Sequence, residues 1–324
     1  MPERRLMDRE QTTALIPLYA GSANTWECDE MGHMNVRFYV ARAQEGLGLL
    51  AMRLGMPEAF GRQAPATLVP LDQHIRFLKE VRPGQPLRMA GRITAITDTD
   101  AWVYQELRHG DGEPAATMHT RVAHVDTQSM RAFPWSTRTI QTAHTLMGAL
   151  PPHAAPRSIE PTQTPLEGVS LALAERLGAH RIGDGLVTQD QTDAFGRMRP
   201  EFFIGRISDA VPNLLADWRE NVARAAAASD GKARHAGAAV LEYRLVYRAW
   251  PRVGNGVAVC SGVIGREGKS HRLAHWLLDP ATGDAWATAE AVAITFDLKT
   301  RKAITPGPAE AEALDLLKVP GMAI

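Results

Sequence analysis

Trp26-Glu27-Cys28-Asp29-Glu30-Met31-Gly32-His33-Met34-Asn35-Val36-Arg37-Phe38-Tyr39 is the stretch that decides how the chain folds, because it occurs twice. Setting 26–45 against 190–209 without a gap brings Asp29 onto Asp193, Gly32 onto Gly196, Met34 onto Met198, Phe38 onto Phe202 and Arg42 onto Arg206. Tyr39 meets Phe203 and Glu45 meets Asp209. Farther on, Gly84 matches Gly254, and the aspartates Asp126 and Asp297 each close an apolar run. A basic residue and then a proline follow each of them, Arg131 and Pro134, then Lys302 and Pro306. A period of this size is a tandem duplication.

The seam shows in composition. Pro151, Pro152, Pro156 and Pro161 punctuate a stretch with few large apolar residues, which is the chemistry of a semi-rigid connection. The expected domains are 1–150 and 165–310, with 151–164 as a proline-rich linker. Each half reads as a short extended segment (Ala14–Ser22; Leu186–Gln191), a loop holding Asp and Gly, a helix, and four strands. In the first half Val36, Val40, Ala43, Leu47, Leu50 and Leu54 recur at the helical period. The helix is predicted over Asn35–Leu54, and its counterpart over Pro200–Ala216, with Pro200 in the first turn, where its missing N–H costs nothing. Strand-like runs cover Thr67–Leu78, Leu87–Ile96, Ala101–Arg108 and Ala115–Val125, and Gly110-Asp111-Gly112 marks a hairpin mirrored by Thr282-Gly283-Asp284. The predicted fold class is α+β, a curled antiparallel sheet around one long helix, made twice.

Composition excludes several classes. The 324 residues carry 36 Lys plus Arg against 36 Asp plus Glu, so no broad basic footprint for nucleic acid or a membrane surface exists. Only Cys28 and Cys260 occur, too few for a secreted disulfide scaffold. Met1–Glu10 is charged and lacks the apolar run of a signal peptide, and no apolar stretch approaches bilayer length. A cytoplasmic location is the expectation.

The motif resembles the helix entrance of hotdog-fold thioesterases of the 4-hydroxybenzoyl-CoA thioesterase-like group, Asp-x-x-Gly-His-x-Asn followed by an aromatic. The resemblance covers both halves and is sharper in the first. It implies a double hotdog in one chain that hydrolyses acyl thioesters of coenzyme A or acyl carrier protein, with no metal or organic cofactor, and that can assemble as a homo-oligomer. It assigns the general base or nucleophile to Asp29. His33 and Asn35 are the accompanying candidates, and Gly32 and Val36 lie where the substrate would approach the helix start.

The chemistry suits these residue types. A thioester needs a carboxylate to attack or to activate water, and donors for the developing oxyanion. A helix N-terminus offers unpaired N–H groups and the positive end of the dipole. The same residues have plainer roles: Asp29 as a turn-former, Asn35 as the N-cap, His33 as a lock on the loop, Tyr39 as core with its hydroxyl satisfied. In the second half Asp193 survives, but His33 has become Arg197 and Asn35 has become Arg199. Those arginines either hold the phosphates of the carrier or make local ion pairs.

Arg42/Glu45 and Arg206/Asp209 are matching i, i+3 pairs, and Glu45 is the alternative carboxylate, on the helix. Cys28 beside Asp29 has no neighbouring histidine–acid order and reads as a small apolar residue. His109, His119, His124, His271 and His275 lack metal-ligand spacing. Two other functions stay open at this point, an enoyl-CoA hydratase or dehydratase and a non-catalytic acyl-thioester binder. The chain has no Asn-Pro dipeptide of the kind hydratases of this fold carry.

Overall fold

The computed structural model describes residues 15–229, 236–297, 299–305 and 307–324. The charged start Met1–Glu10 and Ala14 lie outside them. The first half runs β1 (Ile16–Ser22), α1 (Val36–Arg53), β2 (Ala66–Phe77), β3 (Pro86–Ile96), β4 (Asp100–His109), β5 (Pro114–Asp126) and a short α2 (Thr137–Thr145). After α3 (Leu171–Leu177) the order returns as β6 (His180–Leu186), α4 (Glu201–Ser229), β7 (Ala236–Tyr247), β8 (Gly256–Glu267), β9 (Ser270–Leu278), β10 (Ala285–Asp297) and α5 (Pro308–Asp315).

Two expectations need correcting. The first strand of the second half is His180–Leu186, with Gln189–Gln191 a 3-10 turn, rather than Leu186–Gln191. The helix α4 does not stop at Ala216 but runs on to Ser229, because the segment after it is rich in alanine, the best helix former.

All ten strands form one antiparallel sheet in the order β1-β3-β4-β5-β2-β7-β10-β9-β8-β6, so the halves join edge to edge through β2 and β7. Asp72 to Arg76 pair with Val246 to Glu242, which hides two edges that would otherwise be open to other chains. Alternation along these strands sorts their side chains between the two faces. Ile75, Tyr243 and Leu245 enter the main core, which also holds Val40, Ala43, Leu47 and Leu50 of α1 and Phe203, Ile204 and Ile207 of α4. Both helices therefore lie on one face, where they also touch each other.

The opposite face of the seam carries charges in pairs. Arg244 binds Asp72 (2.6 Å) and His74 binds Glu242 (2.7 Å). The proline-rich connection lies over them: Arg157 and Ser158 donate backbone N–H groups to Glu242, and Arg244 donates to the carbonyls of Glu160 and Gln163. Arg76 does the same to the carbonyls of His153 and Ala155. The connection is thus docked by hydrogen bonds that also satisfy buried charges, which isolated loops rarely do. Among the described residues, no helix is long and apolar enough to cross a membrane.

Candidate active site

The loop from Cys28 to Met34 is a small closed turn. Asp29 N–H donates to the His33 carbonyl (3.0 Å), Gly32 N–H donates to the Asp29 carbonyl (3.0 Å), and Gly32 takes φ +76°, a conformation glycine enters without strain. Asn35 N–H then donates to the Glu27 carbonyl, and the Asn35 side chain caps α1 by accepting from Arg37 N–H (3.0 Å). The second half repeats this backbone bond for bond: Asp193 to Arg197, Gly196 to Asp193 with φ +73°, and Arg199 to Gln191.

Within the first loop Asp29 Oδ1 accepts from the N–H groups of Met31 (2.9 Å) and His33 (3.4 Å). Its Oδ2 faces His33 Nδ1 at 3.1 Å. Burial pushes the Asp29 carboxyl up, but the His33 hydrogen bond and charge and the two N–H groups outweigh it, so Asp29 sits below the ordinary aspartate value. His33 is held above its usual value, first by the hydrogen bond to Asp29 and against its own burial. Its Nε2 is buried without a hydrogen-bond partner.

The loop stands against the other half. Asn35 Nδ2 donates to Ser208 Oγ on α4 (3.0 Å), and the Arg37 guanidinium lies 4.1 Å from the centre of the Phe202 ring. Arg301, beyond β10, pairs with Glu80 at 3.4 Å and is close enough to bear on the His33 charge. Tyr39 is buried with its ring edge-on to Phe77, and its hydroxyl bonds to the Val81 backbone, a core role.

The second loop closes on itself differently. Asp193 Oδ1 accepts from the N–H groups of Phe195 and Arg197, and Oδ2 accepts from Arg197 Nε (2.9 Å) and Nη2 (2.7 Å). Arg197 is only 3% exposed, between the Phe195 and Trp250 rings, with Nη1 on Met130 Sδ at 3.2 Å. Of the two roles open to Arg197, a carrier phosphate or a local ion pair, the structure shows the ion pair, with Asp193. Arg199 is more open, and it holds the Asp190 carbonyl and pairs with Glu201.

The remaining candidates separate from this site. Glu45 is half exposed, pairs with Arg42 (2.7 Å), and lines an open groove of about 810 Å³ with Tyr19, Leu49, Met52 and Phe60. Arg42 is anchored inward by the buried Glu27 and stacks over Tyr19. In the second half Arg206 turns instead to the Leu186 carbonyl and Gln191. Cys28 and Cys260 are both free thiols. His275 binds Ser261 (2.7 Å), His124 binds the Phe133 carbonyl, and His119 meets Thr94. His109 and His271 are buried in their strands. Among the described residues no group of three His, Cys, Asp or Glu side chains could hold a metal ion. Sequence reasoning did not single out Arg301: the basic residues matched beyond Asp126 and Asp297 were Arg131 and Lys302, and Arg301 stands opposite Met130.

One strand–loop–helix–sheet unit made twice, with an acid–imidazole pair at one helix entrance, defines a tandem protein of the hotdog class. A model of the thioesterase-like superfamily matches residues 23–143 and again 187–314, and the chain belongs to that superfamily. Among solved structures, the 12:0-ACP thioesterase from Umbellularia californica superposes with a TM-score of 0.63 at 12% identity, covering 87% of this chain and 94% of that one. An acyl-ACP thioesterase from Bacteroides thetaiotaomicron gives 0.60 at 11% identity, covering 85% and 96%. These likenesses show the fold. A curated relative, the L-carnitine dehydrogenase/betainyl-CoA thioesterase of Agrobacterium fabrum, is 28% identical over 116 residues, 36% of this chain. That match takes in 24% of the relative, so this chain corresponds to about a quarter of it.

Proposed function

We propose that this protein hydrolyses acyl thioesters of coenzyme A or acyl carrier protein to free acid and thiol, with the reaction at the first-half loop. The observation that carries the reading is the setting of Asp29: fixed by its own loop, beside a helix entrance, and touched by one side-chain donor among the described residues. Its family supports the reaction class.

In this mechanism the Asp29 carboxylate takes a proton from water as the oxygen attacks the thioester carbon, or attacks that carbon itself. Charge builds on the former carbonyl oxygen. We assign that oxygen to the Val36 N–H, which begins α1 and has no acceptor inside the helix, and the dipole adds to its pull. The C–S bond then breaks, and the thiolate leaves and takes up a proton. With water as the nucleophile this frees the acid; with Asp29 as the nucleophile it leaves an Asp29–acyl anhydride that water hydrolyses to the acid and the free carboxylate. His33 orients Asp29, Asn35 fixes the helix start, and Gly32 gives the turn its shape. Asp193 and Arg197 are a structural pair, and Arg199 is the second-half cation still open to a carrier phosphate.

On this reading each half is a hotdog unit, 1–150 and 165–310, its sheet wrapped around its helix, with 151–164 as the join. The protein acts in the cytoplasm and can assemble further as a homo-oligomer. A thiol-release assay over lauroyl-, oleoyl- and betainyl-CoA tests the proposal, with enoyl absorbance followed in parallel on crotonyl-CoA. Thiol release that Asp29→Asn abolishes supports it. Loss of enoyl absorbance without thiol would instead make the chain a hydratase, and tight binding with neither change would make it a carrier.

A further inference from the structure

The two motif loops receive their cation from opposite sides of the seam. Beyond β5 and β10 the chain makes the same turn. Asp126 Oδ1 accepts from the N–H groups of Gln128 and Ser129, and Asp297 Oδ1 from those of Lys299 and Thr300. Met130 N–H returns to the Asp126 carbonyl (2.9 Å) and Arg301 N–H to the Asp297 carbonyl (2.7 Å). Bridges Val125–Ala132 and Phe296–Ala303 close both turns. Met130 (φ +57°) and Arg301 (φ +56°) are the two non-glycine residues with positive φ among those described. That conformation is unfavourable for a side chain with a β-carbon, so the fold holds this position against its preference in both halves.

Each of these residues reaches across the seam to the other half. Met130 lays its thioether on Arg197, at 3.2 Å from Nη1. Arg301 brings its guanidinium to Glu80 and into the field of His33, with its carbon 5.3 Å from the centre of the Phe296 ring. The pattern is an exchange: arginine in the loop and methionine across the seam in one site, histidine in the loop and arginine across the seam in the other. The consequence for donors is opposite. Every side-chain nitrogen of Arg197 has a partner. Arg301 Nη1 and His33 Nε2 are both buried with no hydrogen-bond partner among the described residues. A buried donor left unpaired on a charged group is costly, a cost that persists where a ligand supplies the missing acceptor.

Resting on the assignment of the reaction to Asp29, we infer that Arg301 is a catalytic residue of the first-half site, supplied by the second half. Its Nη1–H donates to the acyl carbonyl oxygen of the bound thioester and holds the charge that develops there. The Arg301 side chain is 30% exposed but its Nη1 is buried. A buried donor suits an oxygen that must approach Asp29 better than the hydrated phosphates of the carrier. The site is then composite, and the duplication has made the halves unequal partners in one reaction.

The test uses the full chain and the variants Arg301→Met, Arg301→Lys and Glu80→Gln, with kcat and KM on the three thioesters. Calorimetric titration with laurate, oleate and betaine gives a second readout, because a product carboxylate puts a negative oxygen where the oxyanion forms. Arg301→Met is expected to lower kcat about 10²-fold or more with KM little changed, the size of a lost oxyanion donor. It should weaken the product carboxylate about tenfold, as for a hydrogen bond to a charged group. Arg301→Lys restores part of both, and Glu80→Gln, which frees Arg301 from its ion pair, gives losses clearly smaller than those of Arg301→Met. The inference is overturned if Arg301→Met keeps turnover and carboxylate affinity, if Glu80→Gln reproduces its losses, or if the wild type binds none of the three carboxylates. Should Arg301→Met lose activity while Asp29→Asn keeps it, Arg301 stands and the Asp29 assignment falls. The carboxylate titration decides the matter for Arg301 even if no thiol is released, and Arg301→Lys serves should the methionine variant not fold.

Discussion

The loops at Asp29 and Asp193 share a backbone, and they differ in what that backbone can do. Both place an aspartate at a closed turn, a glycine at positive φ and a helix start a few residues on. In the first, the residue four positions beyond the aspartate is histidine, which meets one carboxylate oxygen with one nitrogen. In the second it is arginine, which puts two nitrogens on one oxygen and buries itself between aromatic rings. A guanidinium fork matches a carboxylate so well that the pair becomes a structural rivet. One side chain thus separates a carboxylate met by a single imidazole nitrogen from one gripped by a guanidinium fork.

The sharpest way to break this comparison is to neutralise each aspartate in turn. Asp29→Asn is expected to lower kcat for thioester hydrolysis about 10³-fold, within the range for loss of a general base, while the chain stays folded. Asp193→Asn is expected to leave kcat within a few-fold. Equal losses would mean two working sites, and loss confined to Asp193→Asn would reverse the assignment. Steady-state kinetics on the same thioester decides between them.

The reverse expectation holds for stability. Arg197→Ala removes a cation that is almost wholly buried and leaves Asp193 with two backbone N–H groups alone. Breaking such a pair should cost about 3 kcal/mol, read as a lower denaturation midpoint in urea. His33→Ala, with its partner more weakly held, should cost less in stability and more in kcat. If Arg197→Ala left the midpoint unchanged, the second loop would not be the rivet described.

Much of this contrast was readable from the chain. Gly32 and Gly196 fall at the same turn, and Gly84 and Gly254 both take positive φ, because a backbone that bends the same way twice needs the same residue twice. The strand β6 was misplaced because His180–Leu186 holds two glycines and sits at a sheet edge, paired with β8 alone, so apolar alternation is weak there. The burial of Arg197 was hidden because arginine belongs at the surface unless paired, and only packing shows the pair enclosed by Phe195 and Trp250. Arg301 was illegible for a different reason. Its meaning comes from Glu80 and His33, which the β2–β7 seam brings near from the far end of the chain.

Proton linkage sharpens the comparison further. Asp29 is lowered in the fold, so its contribution to stability is present above the unfolded value near 3.8 and is lost as pH falls through the folded value. His33 is raised, so its contribution is full below its unfolded value near 6.5 and is lost as pH rises through the folded one. The pair stabilises most between those limits, in the window from about pH 4 to 6.5. For the reaction, a lowered base stays ionised through the neutral range. The acid limb of kcat/KM should therefore fall below pH 3.8, or be masked by acid unfolding. An acid limb centred near neutrality that His33→Gln removes would show that His33, not Asp29, is the titrating base.

Glu45 gives the smallest expected effect and separates the loop from the helix as the seat of chemistry. It lies on the outward face of α1, half exposed beside an open groove, and its bond to Arg42 is one of two that residue makes. The other, to buried Glu27, keeps Arg42 in place when Glu45 changes. An exposed i, i+3 pair contributes a few tenths of a kcal/mol. Glu45→Gln should thus shift the denaturation midpoint barely and leave kcat within about twofold, less than a lost general base by orders of magnitude. A fall in kcat comparable to that of Asp29→Asn would move the chemistry to the helix and make the groove lined by Tyr19, Leu49 and Phe60 the substrate site.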